Sequence, residues 1–515
     1  MDARDLIFYQ IYPRSFCDSN GDGEGDVQGI VSKIGYLREL GVNAVWISPC
    51  FQSPNVDNGY DISDYRAIDE KAGDLDSFCK MIEIFHENGI KVILDFVANH
   101  TSDKHFWFEQ ARSSKDNPYR DYYIWRETPP NDWQSAFGGS AWQFDEATGE
   151  YYLHSYAVEQ PDLNWENPKV REEMKAVVDF WVSKGVDGFR CDVLDQISKD
   201  FQGQNGNGPR LHEFIRELFG REETKNLFTV GECWSTDGDN VKLFCGKDRG
   251  ELTTVFAFRH LCLENGRFVT EKPKLEEVCR RLASWQTHCQ KLGVLNTVFF
   301  GNHDQPRAVS RFGNDTVYRF ESATALGAIV LLSRGVPFLY QGEELGVSNP
   351  HYTDISSFND VESLNHYNEN AGIVPEAELL AQINAGGRDN ARRPMPWDEK
   401  AQKAWLEDYT NRKEINAQKD MQAEKSVYRT YQKLIALRKA EPSLRKGEFV
   451  CREVTKRGFV FSRKDAETEI TLVCNFETPS PFDKEKYDGE YLFGNYATVS
   501  SVLQPYQFLV FKKRL

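Results

Sequence analysis

A chain of 515 residues, 40% hydrophobic, 13% aromatic and 27% charged, is too apolar to be disordered and too long for one ordinary core, which predicts either several domains or one large barrel with additions. Its formal charge of -17, with no block of Lys and Arg, argues against nucleic acid as a partner. No apolar run reaches the roughly 18 residues of a membrane span, and the N-terminus lacks the basic and apolar regions of a secretory signal. Eleven cysteines, an odd number without a CxxC pair, suit a reducing compartment. A cytoplasmic protein with no membrane partner, monomeric or weakly self-associating, is expected.

Short apolar runs bounded by Gly, Asn or Pro recur at 6–12, 42–48, 91–97, 186–193, 227–233, 253–258, 295–300 and 336–340. They are continuous in apolar character rather than alternating, as parallel strands covered by helices require. Eight such strands separated by amphipathic stretches predict a closed (β/α)8 TIM barrel made of residues 1–100 and 167–440. Residues 101–166 exceed what a βα connection needs and predict a small domain inserted after the third strand. Residues 345–393, rich in Asn, Gly and Tyr without clear periodicity, read as a long loop over the barrel mouth. From about residue 441 to 515, alternating strands (GFVFSR, EITLVCNF, GEYLFGN, YQFLVFKK) predict a C-terminal antiparallel β-sandwich.

In such a barrel the chemistry lies at the C-terminal ends of the strands. The third run ends with Asp95, Asn99 and His100, the fourth with Arg190 and Asp192, the fifth with Glu232 and Trp234, and the seventh with His303 and Asp304. One Asp after a strand is often a helix cap, and one His is usually a packing residue. Acids or histidines after four separate strands are hard to explain that way. Carboxylates converging from different strands are what glycoside hydrolysis needs, one attacking the anomeric carbon and one protonating the leaving oxygen. Metal binding is the competing reading, but no HxxxH or Cys/His spacing supports a transition metal. Near the N-terminus, Asp18, Asn20, Asp22, Glu24 and Asp26 place oxygens at alternating positions, as an EF-hand loop begins. Gly29 stands where a bidentate Glu would close such a loop, and a polar turn without metal is the alternative.

The motifs DFVANH (95–100), GFRCD (188–192), GECW (231–234) and GNHDQPR (301–307) are joined by NGYD (58–61), QPDLN (160–164) and RDNARRPMPWD (388–398). In this order the sequence resembles the α-amylase family of glycoside hydrolases, and within it the oligo-1,6-glucosidase and dextran glucosidase branch. The resemblance implies a retaining, exo-acting α-glucosidase that takes glucose from the nonreducing end of α-1,6-linked oligosaccharides without an organic cofactor. It makes Asp192 the nucleophile, Glu232 the general acid/base and Asp304 the carboxylate that holds the terminal glucose. Tyr60, Asp61, His100 and His303 would be further ligands of that glucose, with Arg388 or Arg392 closing its far side. Tyr156 stands where relatives usually place a Phe platform. Relatives bind one structural Ca2+ or Mg2+ through the 18–26 loop, using Asp and Asn side chains and the carbonyl of Glu24.

Val193, directly after the nucleophile, resembles enzymes that accept α-1,6 bonds, whereas Thr there resembles enzymes that prefer α-1,4. Trp234 resembles dextran glucosidases, where trehalose-6-phosphate hydrolases read Met-Pro-Gly. The alternatives are α-1,4- or sucrose-active glucosidases, sucrose isomerases, trehalose-6-phosphate hydrolases and, outside catalysis, the heavy chain of amino-acid transporters. Arg190 lies on the same strand face as Asp192, two residues away, and is expected to hold the Asp192 carboxyl down.

Overall fold

All eight apolar runs become strands of one parallel sheet in the computed structural model, which describes residues 2–236, 238–264, 266–400 and 403–515. They are β1 (Phe8–Ile11), β2 (Ala44–Ile47), β3 (Lys91–Val97), β4 (Gly188–Asp192), β5 (Phe228–Glu232), β6 (Thr254–Phe256), β7 (Thr297–Val298) and β8 (Val336–Tyr340). Backbone pairing runs β6-β5-β4-β3-β2-β1-β8-β7. Between β6 and β7 two threonines close the ring: Thr254 Oγ1 donates to Leu295 O at 2.9 Å, and Thr297 Oγ1 to Val255 O at 3.0 Å. The barrel is therefore complete, with one seam held by side chains instead of a ladder.

Strand periodicity divides each strand between axis and helices. On β4, Phe189 packs outward on Phe219 of the helix Leu211–Phe219, while Arg190 and Asp192 turn to the axis. Register sets Asp95 of β3 beside Arg190 and Val97 beside Asp192. Below this polar layer the barrel is filled with rings. Phe8 stacks on Phe338 at 4.5 Å and lies 4.7 Å from Phe228, and Phe256 lies 4.8 Å from Phe338. The rings make a packed floor beneath the open mouth.

Within residues 101–166 a three-stranded antiparallel sheet (Trp125–Arg126, Trp142–Asp145, Glu150–Leu153) covers its own small core of Ile124, Ala141, Trp142 and Leu153. A buried ion pair ties it to the barrel, with Lys199 Nζ, on the loop after β4, 2.6 Å from Asp162 Oδ2. The mouth segment departs from the expected plain loop, because it contains the helices Val361–Asn370 and Glu376–Gly386. The first buries only Ser363 and so lacks an apolar stripe. What starts it is a cap, the Asp360 side chain accepting from Ser363 N. The second follows Pro375 and packs Leu380 and Ile383 against Tyr352 and Phe358.

The C-terminal sheet contains β9 (Glu448–Thr455), β10 (Gly458–Lys464), β11 (Thr468–Asn475), β12 (Glu490–Gly494) and β13 (Phe508–Arg514), in the order β9-β10-β11-β13-β12. Phe459, Phe461, Leu472 and Phe508 face the barrel core, and the alternate residues Val460, Val473, Leu509 and Phe511 pack on Phe482 and Leu503. The second layer of this sandwich is thin, a pairing of Ser480–Pro481 with Val502–Leu503. All eleven cysteines are free. Among the described residues no helix is long and apolar enough to cross a membrane.

Candidate active site

At the end of β4 and β5 one guanidinium gathers three acids. Arg190 Nη1 donates to Asp192 Oδ1 and to Asp95 Oδ1, each at 2.7 Å, while Nη2 pairs with Glu232 Oε2. Asp95 Oδ2 accepts from Trp46 Nε1 at 2.8 Å and Tyr60 OH at 3.1 Å. Immediately after Asp192 the chain turns sharply, with Val193 in the left-handed region at φ 33° and ψ 44°. For a β-branched residue this costs on the order of 1–2 kcal/mol, and it brings the Val193 N–H to within 3.3 Å of Glu232 Oε2. The other carboxylate oxygen, Oε1, accepts from Trp234 Nε1 at 2.8 Å. The Trp234 ring lies flat on Phe258, centroids 4.0 Å apart.

Burial pushes the Asp192 carboxyl well up; Arg190 opposes it, and the charges of Glu232 and Asp95 add to it. Burial also raises Asp95 to about 6, against the pull of Arg190. The expectation that Arg190 would bring Asp192 below its ordinary value is thus corrected. Its single positive charge is divided among three carboxyls, so at Asp192 and Asp95 burial outweighs it.

Across the cavity the balance reverses. Asp304, after β7, takes Arg392 Nη2 at 2.6 Å on Oδ1, has Arg388 Nη1 at 3.6 Å, and its backbone carbonyl accepts from Arg267 Nη1. Burial works against ionisation here too, yet His303, Arg392 and Arg388 together hold the Asp304 carboxyl well below the usual range. Arg388 further donates to Asp57 Oδ1 at 3.0 Å and Asp360 Oδ1 at 2.6 Å, and lies over the Phe137 ring. Between the two sides is a cavity of about 240 Å³, with Asp57, Tyr60, His100, Asp192, Glu232 and Asp304 in its wall. That is room for one sugar ring.

Tyr60, His100, Tyr156, Val193, Trp234 and Arg388 all line this cavity, as expected of sugar ligands. His100 is lowered to about 4 by burial, and its Nε2 meets Gln160 Nε2 at 3.1 Å. His303 sits beneath, fully buried, with its ring stacked on that of Tyr60 at 5.2 Å. Its Nδ1 accepts from Gln10 Nε2 at 2.8 Å. Tyr60 gives its proton to Asp95, so His303 Nε2 donates to Tyr60 OH at 2.6 Å, with Asp304 Oδ2 3.2 Å away. Burial lowers His303, against the pull of the neighbouring Asp304 carboxylate. Of the two arginines, only Arg388 reaches the cavity; Arg392 is buried behind Asp304 and also donates to His303 O.

Asp61 is a correction. It does not line the cavity: its carboxylate accepts from Ser53 Oγ and from the backbone N–H of Val56 and Asp57, and so holds the 53–57 loop. Asp57 takes the place foreseen for it. The turn between them explains the exchange, since Asn58 (φ 50°) and Gly59 (φ 103°) are both left-handed, which turns the residues before and after in different directions. Sequence reading also missed Gln196, Arg267 and Glu362, which line the cavity from segments without a strand-end marker, Glu362 from the first turn of the helix Val361–Asn370; Arg267 and Glu362 form an ion pair at 3.1 Å.

In the N-terminal loop, Gly21 and Gly23 at φ 82° and 102° bend the chain around Asp18, Asn20 and Asp22. Asp18 accepts backbone N–H groups from Asn20, Gly21 and Gly23. The Glu24 carboxylate turns away to Arg14 and Lys71, leaving its carbonyl as the expected donor. Asp26 closes the loop from the other end: its oxygens accept from Ser19 and from Gly29 N, where it caps the helix Val27–Ser32. Among the described residues no three His, Cys, Asp or Glu side chains converge as a metal cluster.

Residues 10–447 match the family described as "Alpha amylase, catalytic domain". The chain is 43% identical over 505 residues to the oligo-1,6-glucosidase of Halalkalibacterium halodurans, covering 92% of this chain and 90% of that protein. It is 42% identical over 485 residues to the glucan 1,6-alpha-glucosidase of Streptococcus dysgalactiae subsp. equisimilis, covering 91% and 90%. The crystal structure of trehalose-6-phosphate hydrolase from Bacillus licheniformis has the same fold, with a TM-score of 0.91 at 39% identity over 99% of both chains. A match of this length, over a barrel that carries its acids at the mouth, leaves one assignment: the chain belongs to the α-amylase family of glycoside hydrolases and is an enzyme of the α-glucosidase type.

Proposed function

We propose that this enzyme removes glucose from the nonreducing end of α-1,6-linked gluco-oligosaccharides with retention of configuration. The observation that carries the reading is the single guanidinium of Arg190 shared by Asp192 and Glu232. Acids bridged this closely suit the spacing of about 5 to 5.5 Å used for direct attack, and not the wider gap that admits a water. Asp192 Oδ attacks the anomeric carbon as the glycosidic C–O bond breaks, and Glu232 gives its proton to the leaving oxygen. Glu232, now a carboxylate, takes a proton from water, whose oxygen attacks the same carbon and releases Asp192. The Asp57–Arg388–Asp304 side closes the cavity behind one ring, which favours exo action.

Two features support the linkage. Val193 offers only methyl groups beside the reacting centre, and Arg267 and Arg388 in the cavity wall are both committed to carboxylates, which suits a neutral sugar better than a sugar phosphate. The test is initial-rate release of glucose from isomaltose, maltose and trehalose 6-phosphate, with NMR of the first-formed anomer. Isomaltose should lead and α-glucose should come first; β-glucose first would overturn the two-step mechanism.

The donor chemistry of the N-terminal loop, oxygen throughout and partly anionic, fits a hard cation. Asp18, Asn20, Asp22, Asp26 and the Glu24 carbonyl would hold Ca2+ or Mg2+, which would fix the loop and take no part in the reaction. Adding Ca2+ after chelation should raise Tm with no change in kcat, and an unchanged Tm would remove the ion from the account.

A further inference from the structure

Beyond the Arg267–Phe268 segment lies a much larger groove, about 1060 Å³. It runs between the start of the helix Leu275–Leu292, the chain after β7 and the mouth helix Glu376–Gly386. Among the described residues it shares no lining residue with the catalytic cavity. The two are back to back, because Arg267 faces the cavity while Phe268, the next residue, faces the groove.

Its wall holds polar groups that the fold leaves unused. Arg311 is only 8% exposed, yet its guanidinium donates to a single carbonyl, that of Leu261, has no partner at Nε, and makes no ion pair among the described residues. Burial lowers it to about 10, with the charge of Arg267 adding to that and only the Cys262 thiol acting against it. A buried donor group left open in this way is costly unless something outside the fold satisfies it. Lys274 adds a donor, as does Lys272, whose Nζ also donates to Gly313 O at 3.3 Å, and Glu271 and Asp315 add acceptors. Phe268, Val269 and Leu380 contribute an apolar strip.

Donors and acceptors interleaved at nearly balanced charge suit hydroxyls, which both give and accept hydrogen bonds. An anion would meet Glu271 and Asp315, and a purely apolar ligand would leave Arg311 unsatisfied. The volume is several times that of the cavity that takes one ring. We propose that this groove is a second, non-catalytic site for a neutral α-gluco-oligosaccharide, a proposal that rests on the substrate class assigned above.

The experiment is calorimetric titration of the full-length Asp192→Ala variant, which binds but cannot cleave, with isomaltotriose. Two equivalents should bind. In Asp192→Ala combined with Ala381→Trp one equivalent should remain, because Ala381 is an exposed residue of the groove wall that a large ring would block. Ala381→Trp alone should leave isomaltose hydrolysis unchanged. One equivalent in both proteins would overturn the second site, and so would displacement of the second equivalent by inorganic phosphate, which would mark an anion site instead. A wild type that does not cleave isomaltose would overturn the linkage reading alone; maltotriose then replaces isomaltotriose in the same titration.

Discussion

The two walls of the catalytic cavity are built from the same groups in opposite proportion. On the β4–β5 wall three carboxyls share Arg190; on the opposite wall Asp304, Asp57 and Asp360 meet Arg388 and Arg392, with Arg267 paired to Glu362 nearby. Burial is similar on both sides, so the cation count decides. Burial raises Asp192, with the neighbouring acids adding to it, whereas on the other side the arginines hold Asp304 and Asp360 down against burial and leave only Asp57 raised by it. Asp304 and Asp360, kept ionised, can hold hydroxyls without exchanging protons, whereas the wall around Arg190 carries the two acids placed to react. The division of labour is thus written in charge balance rather than in residue type.

The reacting wall should break first and hardest. Asp192→Asn is expected to lose more than about 10⁴-fold on isomaltose and on an aryl glucoside alike, since both need the nucleophile. Glu232→Gln should lose about 10²- to 10⁴-fold on isomaltose but far less on an aryl glucoside whose leaving group departs unaided. Comparing kcat/KM for the two substrates in the two variants checks both roles. Equal losses in Glu232→Gln would remove it as the acid.

The charge balance itself can be read from stability. Asp95, raised to about 6 by burial, binds its proton more tightly folded than unfolded. Its contribution is fully present below the unfolded value near 4 and is lost as pH rises through about 6, on the order of 3 kcal/mol. Asp304 and Asp360 are depressed, so theirs is present above about 4 and lost below it. Denaturant unfolding from pH 4 to 7 should therefore show a smaller loss of stability in Asp95→Asn than in the wild type. An unchanged slope would place the retained proton elsewhere.

Much of this arrangement was legible because strands carry it. Every run of apolar residues ended where the barrel mouth begins, so Asp192, Glu232 and Asp304 could be found by position alone, and the closed barrel followed from the number of runs. What escaped lies where periodicity gives no signal. Asp57 and Asp61 flank one turn, and two consecutive left-handed residues decide which of them faces the sugar. The helix Val361–Asn370 has no apolar stripe to reveal it, and Arg267 and Glu362 meet only through tertiary contact. Nor could residue identity give the sharing of Arg190, which depends on three strands arriving at one height.

The smallest expected effect tests the point where the reacting wall meets the leaving sugar. Val193 is buried, lines the cavity, and adopts a left-handed backbone that a β-branched residue disfavours. The conformation is kept because it turns the Val193 N–H toward Glu232, so the main chain serves the acid while the side chain serves the aglycone. Thr is β-branched too and should keep the same backbone at similar cost, which separates the two contributions. It differs in offering a hydroxyl where Val offers a methyl group. Val193→Thr is therefore expected to leave the rate on an aryl glucoside nearly unchanged and to move the isomaltose-to-maltose ratio of kcat/KM toward maltose by about 1 to 2 kcal/mol, the scale of one net hydrogen bond. Steady-state kinetics on the three substrates checks it. If the ratio stays fixed while the aryl glucoside rate falls, Val193 acts through the backbone and Glu232 alone, and the linkage preference must come from the segments that carry Gln196, Arg267 and Glu362.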